Sequence, residues 1–176
     1  MPAPEDTPRA IIAEDEEVLR EQLRDQLTKL WPELKIIAEA EDGVVALRAL
    51  EAERPDILFL DIQMPGLSGL EVAHQASGRC HVVFVTAYNQ YAIAAFEEGA
   101  VDYVMKPFSP ARLATTIARL KQRIGGAPAK LEHLLQKLAE TLNAGRGHLR
   151  SSLSVTGIHT PRHALNPFAR ARPAHD

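Results

Sequence analysis

Residues 56–66 read DILFLDIQMPG, and this stretch decides the fold class. The run Asp56–Leu60 is short and continuously apolar from Ile57 onward, which is typical of a strand buried on both faces of a parallel sheet. Asp61 follows directly at the end of that strand, and Met64-Pro65-Gly66 predicts a tight turn after it. The sequence therefore predicts a buried strand that brings a carboxylate to the edge of a sheet.

Strands and helices alternate on both sides of this segment. The other predicted strands are Arg9–Glu14, Leu34–Ala40, His81–Val85 and Val101–Met105. The predicted helices are 19–30, Gly43–Glu53 with Val44, Leu47 and Leu50 facing the core, Ser68–Ala76, Gln90–Glu98 and Ser109–Ile124. Five strands that alternate with five helices predict an α/β fold with a doubly wound parallel sheet.

Composition restricts the cellular context. The chain has 176 residues, of which 45% are hydrophobic and 24% are charged, as in ordinary globular proteins. Its one cysteine, Cys80, allows no intramolecular disulfide. No apolar run approaches membrane-spanning length, and the first ten residues lack the pattern of a secretory signal. We therefore expect a cytoplasmic protein without a membrane partner.

The chain changes character after residue 124. The predicted main domain covers residues 8–124, and Gly125–Pro128 forms a linker. Residues 129–143 predict an amphipathic helix that is too small for its own core and should pack on the main domain or on a second chain. Residues 144–176 form a basic tail: positions 145–176 hold five Arg and one Asp, whereas residues 1–125 hold 13 Lys and Arg against 20 Asp and Glu.

Polar residues mark the ends of four strands. They are Glu14, Asp15, Asp61, Thr86 and Lys106. Because the carboxyl ends of parallel strands share one edge, we expect three carboxylates, a hydroxyl and an amine to meet there. Lys106 offsets one negative charge, and the remaining acidity suits Mg²⁺ with oxygen ligands. A carboxylate in such a cluster can also act as a nucleophile and form an aspartyl phosphate.

Four short motifs carry a specific resemblance: Glu14-Asp15, Asp61–Gly66, Thr86-Ala87 and Lys106-Pro107. In this order, one at each strand end, they resemble the bacterial receiver domain of two-component signalling. The resemblance covers residues 8–124. It implies a flavodoxin-like (βα)5 fold with strand order 2-1-3-4-5.

The resemblance also implies residue roles. Asp61 would be the phosphoacceptor, and Mg²⁺ the cofactor. The implied metal ligands are Asp15, Asp61 and the main-chain carbonyl of Gln63, with Glu14 in the acidic pocket and acting through water. The implied phosphoryl-binding residues are Lys106, Thr86 and Ala87. The implied switch pair is Thr86 and Tyr103, and the implied cis peptide joins Lys106 and Pro107.

The stretch TAYNQYAIAAFEEGAVDYVMKPF (Thr86–Phe108) is similar to receivers of the LytTR class, whose output domain binds DNA. An output domain needs on the order of 100 residues. About half of that number follows residue 124, so we expect the output domain to be truncated or absent.

The leading hypothesis is a response regulator, phosphorylated on Asp61 by a sensor histidine kinase. Phosphorylation would switch the face formed by the predicted fourth helix, the fifth strand and the fifth helix, for homodimerisation or partner binding. Under this hypothesis we expect the protein not to be an enzyme, and to show at most slow self-dephosphorylation. One alternative is a LytTR-type DNA-binding transcription regulator, if residues 145–176 complete an output module. Another is a phosphohydrolase, although Gln63 stands where its usual second aspartate belongs.

Overall fold

The computed structural model describes residues 7–88, 100–128, 130, 135–137, 139–141 and 143–144. Its five strands are β1 (Arg9–Ala13), β2 (Lys35–Ala40), β3 (Ile57–Leu60), β4 (His81–Thr86) and β5 (Asp102–Met105). All neighbouring pairs are parallel, and the order across the sheet is β2-β1-β3-β4-β5. The predicted doubly wound, flavodoxin-like fold is therefore confirmed.

Four helices lie within residues 7–88 and 100–128 and pack on the sheet. They are α1 (Glu17–Leu30), α2 (Gly43–Glu53), α3 (Gly69–Ala76) and α4 (Pro110–Arg123). The helix predicted at Gln90–Glu98 lies outside the described residues, so α4 here is the helix that the sequence predicted as the fifth. Ser68 and Ser109 begin α3 and α4, and each side-chain oxygen accepts a hydrogen bond from a main-chain amide in the first turn.

The sheet is covered on both faces because its strands alternate buried side chains between two apolar clusters. Ile11, Leu58 and Phe84 belong to the cluster on the α2–α3 side. Ile12 and Phe59 belong to the cluster beneath α1 and α4. Strands with both faces buried read as continuous apolar runs, which explains the sequence pattern of β1, β3 and β4.

One predicted core position in α2 is wrong. Val44 is 40% exposed, whereas Gly43, Ala46 and Leu50 are the buried residues of this helix. The loop before α3 lies directly over Gly43, where the space that a Cβ would need is already occupied by Leu67. Gly43 therefore takes the buried position in the first turn of α2, and Val44 faces outward.

The described residues beyond the linker include helical positions 135–137, 139–141 and 143–144. Leu135 is buried and joins the apolar cluster on the α2–α3 side of the sheet. The predicted helix at 129–143 lies only partly, and the tail from 145 to 176 entirely, outside the described residues. Within the described part of the chain, no helix is long and apolar enough to cross a membrane.

Gly69 should be essential to the fold, because a Cβ at this position would overlap the main-chain carbonyl of Asp61. We expect Gly69→Ala to lower the free energy of unfolding by at least ~2 kcal/mol, measured by urea denaturation. Gly126→Ala is the matched control, since its Cβ would meet only the carbonyl of Arg123 at 3.4 Å. The control should change stability by less than ~1 kcal/mol, and equal effects of the two variants would contradict this assignment.

Candidate functional site

The parallel register of the sheet brings the polar strand ends together. Ala13 of β1 pairs with Leu60 of β3, and Leu60 pairs with Phe84 of β4. The ladder continues one residue further, because the amide of Asp61 donates to the carbonyl of Ala13 at 3.0 Å. Residues that follow these strands therefore lie side by side at one edge.

Lys106 forms the centre of the site. Its Nζ lies 2.5 Å from Oε2 of Glu14 and 2.8 Å from Oδ2 of Asp61. The side chains of Lys106, Glu14 and Asp61 are only 10%, 4% and 7% exposed. One ammonium thus bridges two buried carboxylates, and the trio carries one net negative charge when all three groups are ionised.

Burial and pairing shift the ionisation of these groups in opposite ways. Burial raises the pKa of Glu14 to about 7, and this effect outweighs the hydrogen bond from Lys106. Burial alone would lower the pKa of Lys106, but its hydrogen bonds to Asp61 and Glu14 raise that pKa above its ordinary value. Lys106 therefore keeps its charge, and that charge holds the two acids together.

Asp61 has a second contact on the other side of its carboxylate. Its Oδ1 accepts a hydrogen bond from the amide of Gln63 at 3.3 Å, while Oδ2 faces Lys106. The main-chain carbonyl of Asp61 is fixed by its close approach to Gly69. The Asp61 carboxylate is thus held at a defined position at the carboxyl edge of the sheet, as a nucleophile requires.

The loop after β1 carries the acidic cluster. Carboxylate oxygens of Glu14, Asp15 and Glu16 lie within 4.8 Å of one another. The amide of Glu16 donates to Oε1 of Glu14, and the guanidinium of Arg20 donates to the carbonyl of Glu14 at 2.8 Å. Such a set of oxygen donors fits a hard divalent cation such as Mg²⁺.

The acidic cluster differs from the ligand set inferred from the sequence in one respect. Glu16 joins Glu14 and Asp15, whereas the ligand set that the resemblance implies does not contain Glu16. Asp61 faces Lys106, and Gln63 is exposed at the site. The hydrogen bond from Arg20 to the acidic loop was also not predicted. An arginine in the first turn of a helix that follows an acidic loop is a sequence signal that could have indicated it.

The predicted switch pair lies beside the site. Thr86 is fully buried at the end of β4, and its Oγ1 accepts a hydrogen bond from the amide of Tyr88 at 3.4 Å. Tyr103 is also buried, and its hydroxyl donates to the carbonyl of Tyr88. The ring of Tyr103 therefore already occupies the inward position, and its movement on phosphorylation stays a prediction. Ala87 is exposed, and its role in phosphoryl binding also stays a prediction.

Two further features lie at the two ends of β5. The Lys106–Pro107 peptide is cis, the isomer that the resemblance implies. Asp102 at the start of β5 is completely buried and bonded to Arg112, Thr116 and Arg119. Asp102 lies within the stretch Thr86–Phe108, and no role was predicted for it, although an acid within a buried strand is itself a signal of a buried partner.

Comparison with known proteins identifies the family of this chain. The family model of the response regulator receiver domain matches residues 10–118, more than half of the chain. The chain belongs to the response regulator receiver family. An uncharacterised response regulatory protein of Vibrio cholerae is 43% identical to it over 134 residues, 74% of this chain and 51% of the relative. The transcriptional regulatory protein BtsR of Escherichia coli is 45% identical over 116 residues, 65% of this chain and 48% of the relative.

Solved receiver structures show the same fold. The receiver domain of AraT from Geobacillus stearothermophilus has a TM-score of 0.60 and 32% identity, covering 68% of this chain and 96% of that one. The response regulatory domain of mrkE from Klebsiella pneumoniae has a TM-score of 0.59 and 31% identity, covering 65% of this chain and 95% of that one. The receiver chain spans about half the length of the curated relatives that it matches.

Removal of the bridging ammonium should destabilise this receiver in a pH-dependent way. The pKa of Glu14 is raised from 4.5 to about 7 in the folded state. Between pH 4.5 and about pH 7, Glu14 therefore keeps a proton in the folded protein that it has lost in the unfolded chain. The free energy of unfolding consequently decreases as pH rises through this range. Lys106 lowers this pKa, so Lys106→Met should deepen the loss. We expect a decrease in unfolding free energy of about 2–4 kcal/mol near pH 8 and a smaller one near pH 5.

Urea denaturation at both pH values measures the effect, with Lys29→Met as the control because Lys29 is exposed on α1. The control should change stability by less than about 0.5 kcal/mol at either pH. A Lys106→Met loss that is independent of pH would contradict the electrostatic account.

Proposed function

We propose that this receiver accepts a phosphoryl group on Asp61 from the phosphohistidine of a sensor histidine kinase. The observation that supports this proposal most strongly is the Lys106 bridge between Asp61 and Glu14. It holds a buried carboxylate and a cation in contact at the edge of the sheet where a phosphodonor can approach.

The proposed chemistry follows from these contacts. An oxygen of Asp61 attacks phosphorus, the bond from phosphorus to the imidazole nitrogen of the donor breaks, and its electron pair leaves with that nitrogen. Lys106 moves its hydrogen bonds towards the phosphoryl oxygens, which carry the transferred charge. Asp15, Asp61 and the Gln63 carbonyl, with Glu14 and Glu16 nearby, would hold Mg²⁺. When bound, the ion supplies further neutralisation of the phosphoryl charge.

Phosphorylation is proposed to act as a switch rather than as turnover. Thr86 lies buried next to the site, and its hydroxyl is the group that would follow a phosphoryl oxygen. Tyr103 packs behind it with its ring 6.1 Å from that of Phe84. The output is dimerisation or partner binding by the face that contains β5 and α4, together with the segment at 90–98 that lies outside the described residues. A cytoplasmic location is part of this proposal, and the free thiol of Cys80 fits a reducing compartment.

No catalytic turnover is proposed beyond slow self-dephosphorylation. Phosphohydrolases that use an aspartate nucleophile place a second acid two residues further on. Here that position is Gln63, whose exposed amide side chain has no basic oxygen of comparable strength. The site is therefore suited to hold a phosphoryl group rather than to release it rapidly.

Phosphorylation is testable with acetyl phosphate and Mg²⁺. The intact protein should gain the mass of one phosphoryl group, and Asp61→Asn should gain none because an amide is not a nucleophile here. Asp25→Asn is the matched control, since Asp25 is an exposed carboxylate on α1. Phosphorylation of Asp61→Asn to the level of the wild type, or of neither protein, would contradict the proposal.

A second candidate function is transcription control through a LytTR-type output domain. The similarity to BtsR of Escherichia coli, a transcriptional regulatory protein, favours transcription control, and the LytTR type of the output domain rests on the sequence resemblance alone. Residues 145–176, which would have to contribute the DNA contacts, lie outside the described residues. A gel-shift titration on duplex DNA at two salt concentrations tests this function, and binding that survives deletion of 145–176 would exclude the tail as its cause.

A further inference from the structure

Asp102 is the most highly bonded side chain outside the phosphoacceptor site among the described residues. It is completely buried at the start of β5. Its Oδ2 accepts hydrogen bonds from Arg112 at 2.8 Å and from the hydroxyl of Thr116 at 2.7 Å. Its Oδ1 accepts from Arg112 and Arg119, each at 2.8 Å, and from the amide of Tyr103 at 2.8 Å.

The Asp102 cluster forms hydrogen bonds with both main-chain polar groups of Tyr103. The amide of Tyr103 donates to Asp102, and the carbonyl of Tyr103 accepts from Arg112 at 3.1 Å. Both peptide groups of the proposed switch residue are thereby connected, through one carboxylate and one guanidinium, to the first turns of α4. Meanwhile the hydroxyl of Tyr103 donates to the carbonyl of Tyr88 beside Thr86.

Opposite charges and hydrogen bonds hold the groups of this cluster in fixed orientations. Burial would raise the pKa of Asp102, but hydrogen bonds from Arg112, Thr116 and the amide of Tyr103 lower it below its ordinary value. Arg112 binds the carboxylate with both terminal nitrogens, a geometry that fixes the orientation of both groups. Two guanidinium groups surround one carboxylate, so the cluster carries one net positive charge, opposite to the net charge at Lys106.

A simple structural anchor would need only one ion pair between β5 and α4. The additional contacts converge instead on the main chain of Tyr103 and extend to Arg119, whose side chain is 41% exposed at the surface of α4. A continuous set of hydrogen bonds therefore leads from the switch residue to the outer face of the helix. Such a path is a physical route by which a movement of the Tyr103 main chain can reach α4.

We infer that Asp102 is a positioning residue that couples Tyr103 to α4 through Arg112, Thr116 and Arg119. This inference rests on the proposed switch function and assigns the output movement of α4 to one buried cluster. Asp102 takes no part in phosphoryl transfer, because it lies at the opposite end of β5 from Lys106.

The test uses the full ¹⁵N-labelled chain with Mg²⁺ and beryllofluoride, which mimics a phosphoryl group. Arg119→Met and Thr116→Val each remove one hydrogen bond to Asp102 and leave Arg112 in place. Arg79→Met is the matched control, because Arg79 is 40% exposed and pairs with Glu51 on the surface. Amide shifts of Gln63 and Lys106 report the site, and amide shifts of Leu113–Leu120 report α4. Hydrogen exchange of the Tyr103 amide reports the cluster itself.

We expect beryllofluoride to change the amide chemical shifts of Gln63 and Lys106 in both variants as it does in the wild type. The changes of amide chemical shift in α4 should be reduced by about half or more in both variants. The Tyr103 amide should exchange about tenfold faster in both variants, and Arg79→Met should match the wild type throughout. Site shifts with unchanged α4 shifts in both variants would overturn this inference and leave the proposed function standing. A wild-type protein without site shifts would overturn the proposed function and the inference with it.

Discussion

The ammonium of Lys106 is the contact on which the rest of the site depends. Two carboxylates, Glu14 and Asp61, are buried at one edge of the sheet, and without a cation between them their mutual repulsion would destabilise the fold. The parallel register produces this arrangement, because it places the ends of β1, β3 and β5 at the same edge. The proposed phosphoryl acceptance and the stability of this edge therefore depend on the same three side chains.

The two ends of β5 solve the problem of buried charge in opposite ways. At Lys106 one cation pairs with two acids, which leaves a net negative charge and oxygens that can accept further bonds, as the proposed metal and phosphoryl binding requires. At Asp102 two cations and a hydroxyl serve one acid, which saturates every oxygen lone pair. The first arrangement suits chemistry and the second suits mechanical connection. Tyr103 lies between them on the same four-residue strand.

Most of the fold could be predicted from the sequence because buried parallel strands leave an unambiguous pattern. The apolar runs gave all five strands, and Ser68 and Ser109 marked two helix starts. Asp61 and Lys106 could be placed at one edge for the same reason. The exposure of Val44 could not be foreseen, since it depends on how Leu67 packs over Gly43. The hydrogen bonds of Asp102 and Arg20 could not be predicted either, because local sequence does not reveal which long side chains contact a neighbouring element.

The most direct test of the account is to locate the phosphorylated residue chemically. Borohydride reduces an aspartyl phosphate to homoserine, so mass spectrometry of the digested protein identifies the acceptor after treatment with acetyl phosphate and Mg²⁺. The account predicts homoserine at position 61, in the peptide that follows β3. Reduction at Glu14, Asp15 or Glu16 instead, with Asp61 unchanged, would contradict the claim that Asp61 is the nucleophile.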